Sequence, residues 1–252
     1  MGVNFKMHKR KSRVLAIALT IVLVSSGIIA YILLSAENEK PSSEIIRVAC
    51  VGDSLTQSTV YTLELWKLLG GSARYTVGNY TIEPYDNSSA IGNGTRYAVS
   101  NFGAGSTTVL LNTETPYMNT SVFQDALEFQ PNIVIIMLGT NDAQPNLHQY
   151  NASFVADYVT LITAFQELAS KPKIWIVLPP PIFSDQGGKI SPEYFKLTII
   201  PDIEQAANET NLPTIDVYSA LVGYADYFPD GVHPNRDGAQ LIAETIYKAI
   251  TS

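Results

Sequence analysis

The sequence predicts an α/β domain built on a five-stranded parallel sheet with helices on both faces. Five short runs rich in Val, Ile and aromatic residues are separated by stretches with helical periodicity. None of these runs alternates strictly between apolar and polar residues, which is typical of strands buried on both faces of a parallel sheet. Repeated alternation of strand and helix along a chain predicts parallel strands joined by helical crossovers.

The elements follow from these patterns in chain order. The predicted strands are 45–51, 97–102, 132–138, 173–178 and 213–218. Apolar residues spaced by three and four indicate a helix over 154–168, which ends before Pro172, and a second over 241–249. Further helices are expected at 60–69, 122–129 and 194–207. Residues 72–96 are rich in Gly, Asn, Ser and Tyr, and they are predicted to form a long surface excursion, for which a hairpin is one form, rather than part of the core.

Composition and charge exclude several classes of protein and one class of partner. The chain has 252 residues, of which 46% are hydrophobic, so a disordered or fibrous chain is excluded. Five Lys and Arg fall within residues 1–13, and no Asp or Glu precedes Glu37. The remainder carries 11 Lys and Arg against 23 Asp and Glu, a net charge of −12. Nucleic acid is therefore not expected as a partner, because such a surface repels phosphates.

The N-terminal segment predicts export to the cell membrane. Residues 14–34 contain no charge and are long enough to span a bilayer, and the basic residues 1–13 are expected to stay in the cytoplasm. Residues 35–44 are polar and predicted to be a tether, so residues 45–252 form an extracytoplasmic domain on a single-pass anchor. Cleavage of the segment as a signal peptide, which would give a secreted protein, is the alternative.

Six Asn-x-Ser/Thr sequons agree with export. They begin at Asn79, Asn87, Asn93, Asn119, Asn151 and Asn208, which are candidates for N-glycosylation. The single cysteine, Cys50, excludes a disulfide within the chain and a cysteine-based metal site. No motif for a metal or cofactor stands out, and the oligomeric state is left open.

Four turns of glycine and polar residues carry the candidate site. They are Gly52-Asp53-Ser54-Leu55, Asn101-Phe102-Gly103-Ala104-Gly105, Gly139-Thr140-Asn141-Asp142 and Asp230-Gly231-Val232-His233. The first three follow predicted strands and the fourth precedes the last helix, so a parallel sheet brings them to one edge. Each turn alone is ordinary, and their joint occurrence in this order indicates a site.

The residue types at these turns suit acyl transfer. Ser54 is the candidate nucleophile and His233 the candidate base, because a serine hydroxyl is a weak nucleophile until a base accepts its proton. Asp230 lies three residues before His233, where it can orient the imidazole and stabilise the imidazolium. The N–H groups of Ser54 and Gly103 and the amide of Asn141 are candidate donors to an oxyanion.

These four blocks resemble the GDSL/SGNH hydrolase superfamily over about residues 47–250. The resemblance implies a three-layer α/β/α sandwich and a metal-free serine esterase without cofactors. The implied roles fall on Ser54, Gly103, Asn141 and His233, with Asp230 as the third triad member. The surrounding phrases NFGAGSTT, VIIMLGTNDAQP and FPDGVHPNRDGAQLIA are similar to carbohydrate O-acetylesterases of the sialate O-acetylesterase-like type.

The expected substrate is a small acyl ester, with an acetylated glycan favoured. Aromatic residues of the predicted rim loops suit stacking on sugar rings: Tyr150, Phe183, Tyr194, Phe195, Tyr224, Tyr227 and Phe228. Two alternatives are a lysophospholipase or thioesterase that acts on lipid-type esters and an inactive, membrane-tethered glycan-binding module. Substrate-binding residues cannot be assigned from the sequence.

Overall fold

The five predicted strands form the contiguous parallel core of a seven-stranded sheet. The computed structural model describes residues 45–58, 60–71, 75–77, 80–82 and 96–252. The strands are β1 (Ile45–Gly52), β2 (Tyr75–Val77), β3 (Tyr80–Ile82), β4 (Arg96–Gly103), β5 (Ile133–Met137), β6 (Lys173–Leu178) and β7 (Thr214–Asp216). Their spatial order is β3-β2-β4-β1-β5-β6-β7, with β3 alone antiparallel to its neighbour.

Two of these strands come from the segment that was predicted as a surface excursion. Residues 72–96 include β2, which pairs in parallel with β4, and β3, which pairs with β2 in a short hairpin. The predicted sheet of five strands is therefore extended by two at the β4 edge. The last strand is shorter than predicted, because the chain turns into a helix directly after Asp216.

Helices cover both faces of the sheet. They are α1 (Ser54–Gln57), α2 (Val60–Leu68), α3 (Ser121–Glu128), α4 (Phe154–Gln166), α5 (Pro192–Tyr194), α6 (Ile200–Glu209), α7 (Val217–Leu221) and α8 (Arg236–Thr251). A π-helical segment, Phe195–Ile199, joins α5 to α6. Pro201 lies just beyond it and has no N–H for a regular helical bond, which suits a local change of helical pitch.

Alternate residues of the central strands pack into two cores. Val48 and Cys50 of β1 face a core with α2, α7 and α8, whereas Ala49 and Val51 face a core with α3, α4 and α6. Both sets are completely buried, as expected for a parallel strand between two helical layers. The result is a three-layer α/β/α arrangement.

The predicted anchor lies outside the described residues. Residues 1–44, which include the basic tail, the apolar segment 14–34 and the tether, are not among them. Within the described part of the chain, no helix is both long and apolar enough to cross a bilayer.

Candidate active site

Ser54 lies at a tight turn between β1 and α1. Asp53 caps α1, since its Oδ1 accepts a hydrogen bond from the N–H of Leu55 at 2.9 Å. A Cβ at Gly52 would lie 2.1 Å from Thr56 Oγ1 and 2.7 Å from the carbonyl oxygen of Met137. Only glycine therefore allows the strand to turn so closely into the helix, which presents Ser54 at the carboxyl edge of the sheet.

Asp230 and His233 form a hydrogen-bonded pair that reaches Ser54. Asp230 Oδ1 accepts hydrogen bonds from the N–H groups of Val232 at 2.8 Å and His233 at 2.6 Å. Asp230 Oδ2 lies 2.7 Å from His233 Nδ1, and His233 Nε2 lies 2.8 Å from Ser54 Oγ. Because an ionised carboxylate only accepts, Nδ1 carries a proton and donates it, which leaves Nε2 of a neutral ring to accept from the serine hydroxyl.

Hydrogen bonds keep Asp230 ionised. Burial alone would raise its pKa, but the N–H groups of His233 and Val232 and the imidazole lower it to about 2. The carboxylate is partly open to solvent, with 48% of its side chain exposed, so water screens its charge. It therefore remains an acceptor for Nδ1–H across the neutral pH range.

Two backbone N–H groups of residues that line the cleft have no acceptor among the described residues. They belong to Ser54 itself, at the first position of α1, and to Ser106. Ser106 has a φ of 62° and lines the same cleft as Ser54, Asn141 and His233. The amide of Asn141 donates one hydrogen bond from Nδ2 to the carbonyl oxygen of Thr107 at 2.9 Å, which fixes its orientation and leaves its second N–H available.

Gly103 lies outside this group. Its N–H donates to Asn101 Oδ1 at 2.9 Å, so the donor that sequence analysis assigned to an oxyanion is already used. A Cβ at Gly103 would lie 2.1 Å from the backbone nitrogen of Gln57, in α1. The structure therefore does not support Gly103 as an oxyanion donor and gives it a packing role, because it allows β4 to approach the helix that begins at Ser54.

Two carboxyl groups are buried behind the site. Burial raises the pKa of Asp53 to about 6, although the N–H of Leu55 opposes this effect. Burial also raises the pKa of Asp142 to about 7, against the N–H groups of Leu110 and Val109, and the charge of Asp53 raises it further. In the sequence, both residues are recognisable only as parts of their turns.

The cleft beside Ser54 has a volume of about 570 Å³ and walls that are polar and apolar in nearly equal measure. Gln144, Asn146, Gln186 and Lys189 lie along it, and none of them was predicted as a site residue. They lie in the loops after β5 and β6, beyond the residues of the four motifs. Within the described residues, no group of three or more His, Cys, Asp or Glu side chains is arranged to hold a metal ion.

The predicted rim aromatics do not line this cleft. Phe195 and Phe228 are buried in the two cores, and Phe183 packs against Phe228 with ring centroids 5.0 Å apart. Tyr194 stacks on His148 at 3.5 Å, and Tyr224 stacks on Tyr227 at 5.0 Å. These rings therefore give no stacking surface beside Ser54, because most are used in packing or in pairs. Tyr150 lines a neighbouring groove instead.

Three sequons lie among the described residues. Asn119 and Asn208 are exposed. Asn151 instead donates from Nδ2 to Asp202 Oδ2 at 2.8 Å, and its Oδ1 is buried without a partner, so the structure argues against a glycan there. Asn79, Asn87 and Asn93 lie outside the described residues.

An α/β/α sandwich with a serine, a histidine and an aspartate hydrogen-bonded at the carboxyl edge of its sheet has the architecture of a serine hydrolase. The GDSL-like lipase/acylhydrolase family matches residues 50–241, and the chain belongs to this family. This family is named for lipase and acylhydrolase activity. The family resemblance that the four motifs predicted is confirmed.

The chain is also similar in sequence to an esterase. An acetylxylan esterase of Xylanibacter ruminicola is 32% identical over 228 residues, which cover 83% of this chain and 44% of that protein. The chain therefore spans less than half the length of this curated relative.

Solved structures share the fold. The acetylxylan esterase Axe2 of Geobacillus stearothermophilus has a TM-score of 0.61 at 19% identity, covering 82% of this chain and 94% of that chain. A lipase/acylhydrolase of Enterococcus faecalis has a TM-score of 0.59 at 22% identity, covering 81% and 95%. At these identities the similarity establishes the fold alone.

Proposed function

We propose that this protein hydrolyses acetyl esters of carbohydrate, with Ser54 as nucleophile, His233 as general base and Asp230 as its orienting partner. The observation that carries the proposal is the continuous set of hydrogen bonds from Asp230 through His233 to Ser54 Oγ. Both contacts, 2.8 Å and 2.7 Å, lie within the range needed for proton transfer and for orientation of the base.

The reaction follows from the geometry. Ser54 Oγ attacks the ester carbonyl while its proton passes to His233 Nε2, and Asp230 stabilises the imidazolium. The N–H groups of Ser54 and Ser106 and the amide of Asn141 donate to the oxygen as it becomes negative. His233 then protonates the leaving sugar hydroxyl. Water then gives a proton to the same imidazole and attacks the acetyl-Ser54 ester. The imidazolium returns that proton to Ser54 Oγ, so the products are acetic acid, which ionises to acetate, and the free serine.

The acetylated glycan is supported by one sequence relative and by the chemistry of the cleft. The relative that is 32% identical to the chain is called an acetylxylan esterase. Amides, hydroxyls and one ammonium line much of the cleft, which suits hydroxyl-rich substrates better than a long acyl chain. Hydrolysis of lipid-type esters is the second candidate function, because the name of the matching family includes lipases as well as acylhydrolases.

A substrate panel on Ser54→Ala tests the proposal. Wild-type protein should release acetate from 4-nitrophenyl acetate and from acetylated xylan, and it should act weakly on 4-nitrophenyl decanoate. Ser54→Ala should lose activity by about 10⁴-fold or more, because the nucleophile is gone. Ser121→Ala removes an exposed hydroxyl at the start of α3 and is the matched control.

Different outcomes separate the alternatives. Equal turnover by wild type and Ser54→Ala would refute the nucleophile, and a preference for decanoate would favour a lipid esterase. Glycan binding without any turnover by wild type would instead favour the inactive binding module. Export to the cell membrane depends on residues 1–44, and it stays a prediction from the sequence.

A further inference from the structure

A second groove adjoins the cleft that contains Ser54. Its volume is about 380 Å³, and it shares Gln144 and Asn146 with that cleft. Asn112, Glu114 and Tyr150 line its remaining walls. The two shared residues form a common border, so a ligand longer than one sugar can occupy both spaces at once.

One wall of the groove is a loop held rigidly against the body of the domain. Asp142 accepts hydrogen bonds from the N–H groups of Val109 and Leu110, both at 3.0 Å, and Asp157 Oδ2 accepts one from Leu111 at 3.0 Å. The groove is therefore formed before any ligand arrives, which reduces the entropy lost on binding.

The same loop connects the groove to the oxyanion site. Thr115 Oγ1 donates to the carbonyl oxygen of Ser106 at 2.9 Å, and the N–H of Thr108 donates to the carbonyl oxygen of Thr115 at 3.0 Å. Ser106 begins the loop beside Ser54, and Glu114 lies in the part that lines the groove. A ligand in the groove therefore contacts the segment that presents the Ser106 N–H.

Several polar side chains in the groove have no internal partner. Among the described residues, the side chains of Asn112, Glu114, Gln144 and Asn146 make no hydrogen bond. They supply amide donors and acceptors and one carboxylate, and half-buried Tyr150 adds an aromatic surface. Sugar hydroxyls and ring faces are recognised by this combination, whereas a carboxylate and unpaired amides exclude an acyl chain.

We propose that this second groove is a carbohydrate subsite, which binds a neighbouring sugar of the chain while the acetylated sugar lies beside Ser54. The inference rests on the proposed function and adds that the substrate is an oligosaccharide or polysaccharide. The groove binds a polymer next to the reacting sugar, and it gives longer chains an advantage over an acetylated monosaccharide.

The test compares substrates of different length in matched variants. Wild type should show a higher kcat/KM for acetylated xylotetraose than for acetylated xylose. In the double variant Asn112→Ala/Glu114→Ala, the ratio of kcat/KM for the tetrasaccharide to that for 4-nitrophenyl acetate should fall about tenfold, since hydrogen bonds to sugar hydroxyls are lost. Gln124→Ala/Glu128→Ala removes an amide and a carboxylate from exposed positions of α3 and should leave the ratio unchanged.

A binding measurement keeps this test independent of hydrolysis. Unacetylated xylotetraose should bind the wild type in calorimetry, and Asn112→Ala/Glu114→Ala should weaken that binding about tenfold. Turnover with no length dependence and no effect of the double variant would overturn the subsite and leave the esterase proposal intact. If the wild type binds xylotetraose but hydrolyses no acetyl ester, and the double variant binds it more weakly, the proposed function is overturned and the subsite is supported.

Discussion

Asp230 and His233 are oriented by their own turn, which makes this half of the site a local property of the chain. One carboxylate accepts from the N–H groups of Val232 and His233 and from the imidazole of His233. Ser54 comes from 179 positions away, and only the fold brings its hydroxyl to Nε2. Local sequence spacing therefore predicted the Asp–His pair, and long-range packing supplies its partner.

Asn141 should affect the rate of reaction more than the binding of substrate. Asn141→Ala removes an amide donor beside Ser54, so kcat for 4-nitrophenyl acetate should fall about 10²- to 10³-fold with KM nearly constant. Steady-state kinetics and thermal unfolding measure the two effects separately. Asn208→Ala, at an exposed position of α6, is the control. A raised KM with unchanged kcat would show that Asn141 only binds the ground state.

Ser106 illustrates why one donor was misassigned from the sequence. The segment NFGAGS offers several N–H groups, of which that of Gly103 was the predicted donor. Which N–H faces the cleft depends on backbone dihedrals and on Asn101, which accepts from Gly103. A serine in the left-handed region is uncommon, so no residue-type signal pointed to this position.

At the scale of elements, the close contact of β4 with α1 positions Ser54. Asn101 at the end of β4 donates from Nδ2 to the carbonyl oxygen of Thr56 at 2.6 Å and to Thr62 Oγ1 at 3.0 Å. The same side chain accepts from the N–H of Gly103. This buried amide therefore joins β4 to α1 and α2, and Gly103 gives the strand room to approach.

Gly103→Ala should destabilise the domain. Its new Cβ would meet the backbone of Gln57 at 2.1 Å and 2.6 Å, so α1 or β4 must shift at a cost of about 1–3 kcal/mol. Urea unfolding measures the loss. Gly223→Ala is the matched control, since a Cβ added there would meet no described atom within 4 Å, and its effect should stay within about 0.5 kcal/mol. Equal stability of Gly103→Ala and the wild type would contradict this contact.

Strands with long hydrophobic runs were predicted correctly, whereas strands that depend on pairing with another strand were missed. The runs that became β1, β4, β5 and β6 were found within about one residue of their ends, because buried strands need continuous apolar residues. Residues 75–82 carry no such run, and their strands depend on a free edge of β4. A strand pairing of this kind is long-range, so periodicity alone does not reveal it.

At the scale of the whole molecule, two buried carboxyl groups should make stability depend on pH. The pKa values of Asp53 and Asp142 are raised to about 6 and about 7, so the folded state holds these protons more tightly than the unfolded state. The stability they contribute is complete below about pH 4 and is lost as pH rises through 6 to 7. The lowered pKa of Asp230, about 2, has the opposite effect on stability. The stability that this carboxylate contributes is lost as the pH falls below about 4.

The free energy of unfolding should therefore fall from pH 4 to pH 7, by up to about 1.4 kcal/mol per pH unit for each proton. Asp142→Asn should flatten this fall, because a neutral amide replaces the titrating group. The variant should also lose some stability at pH 4, since Asn has one acceptor oxygen for the two N–H groups that Asp142 binds. Urea unfolding at four pH values measures both, with exposed Asp125→Asn as the control. An unchanged slope in Asp142→Asn would contradict the assignment.

The sequence by itself determined the parallel α/β core and the family, and it predicted that Ser54, Asn141, Asp230 and His233 belong to one site, because buried strands and short motifs are local in the chain. Only the tertiary structure decided that Ser106 faces the cleft in place of Gly103, that two more strands join the sheet, and that a second polar groove borders the first. These features arise where segments distant in sequence share space, and the packing and hydrogen bonds between them are not encoded in any single segment.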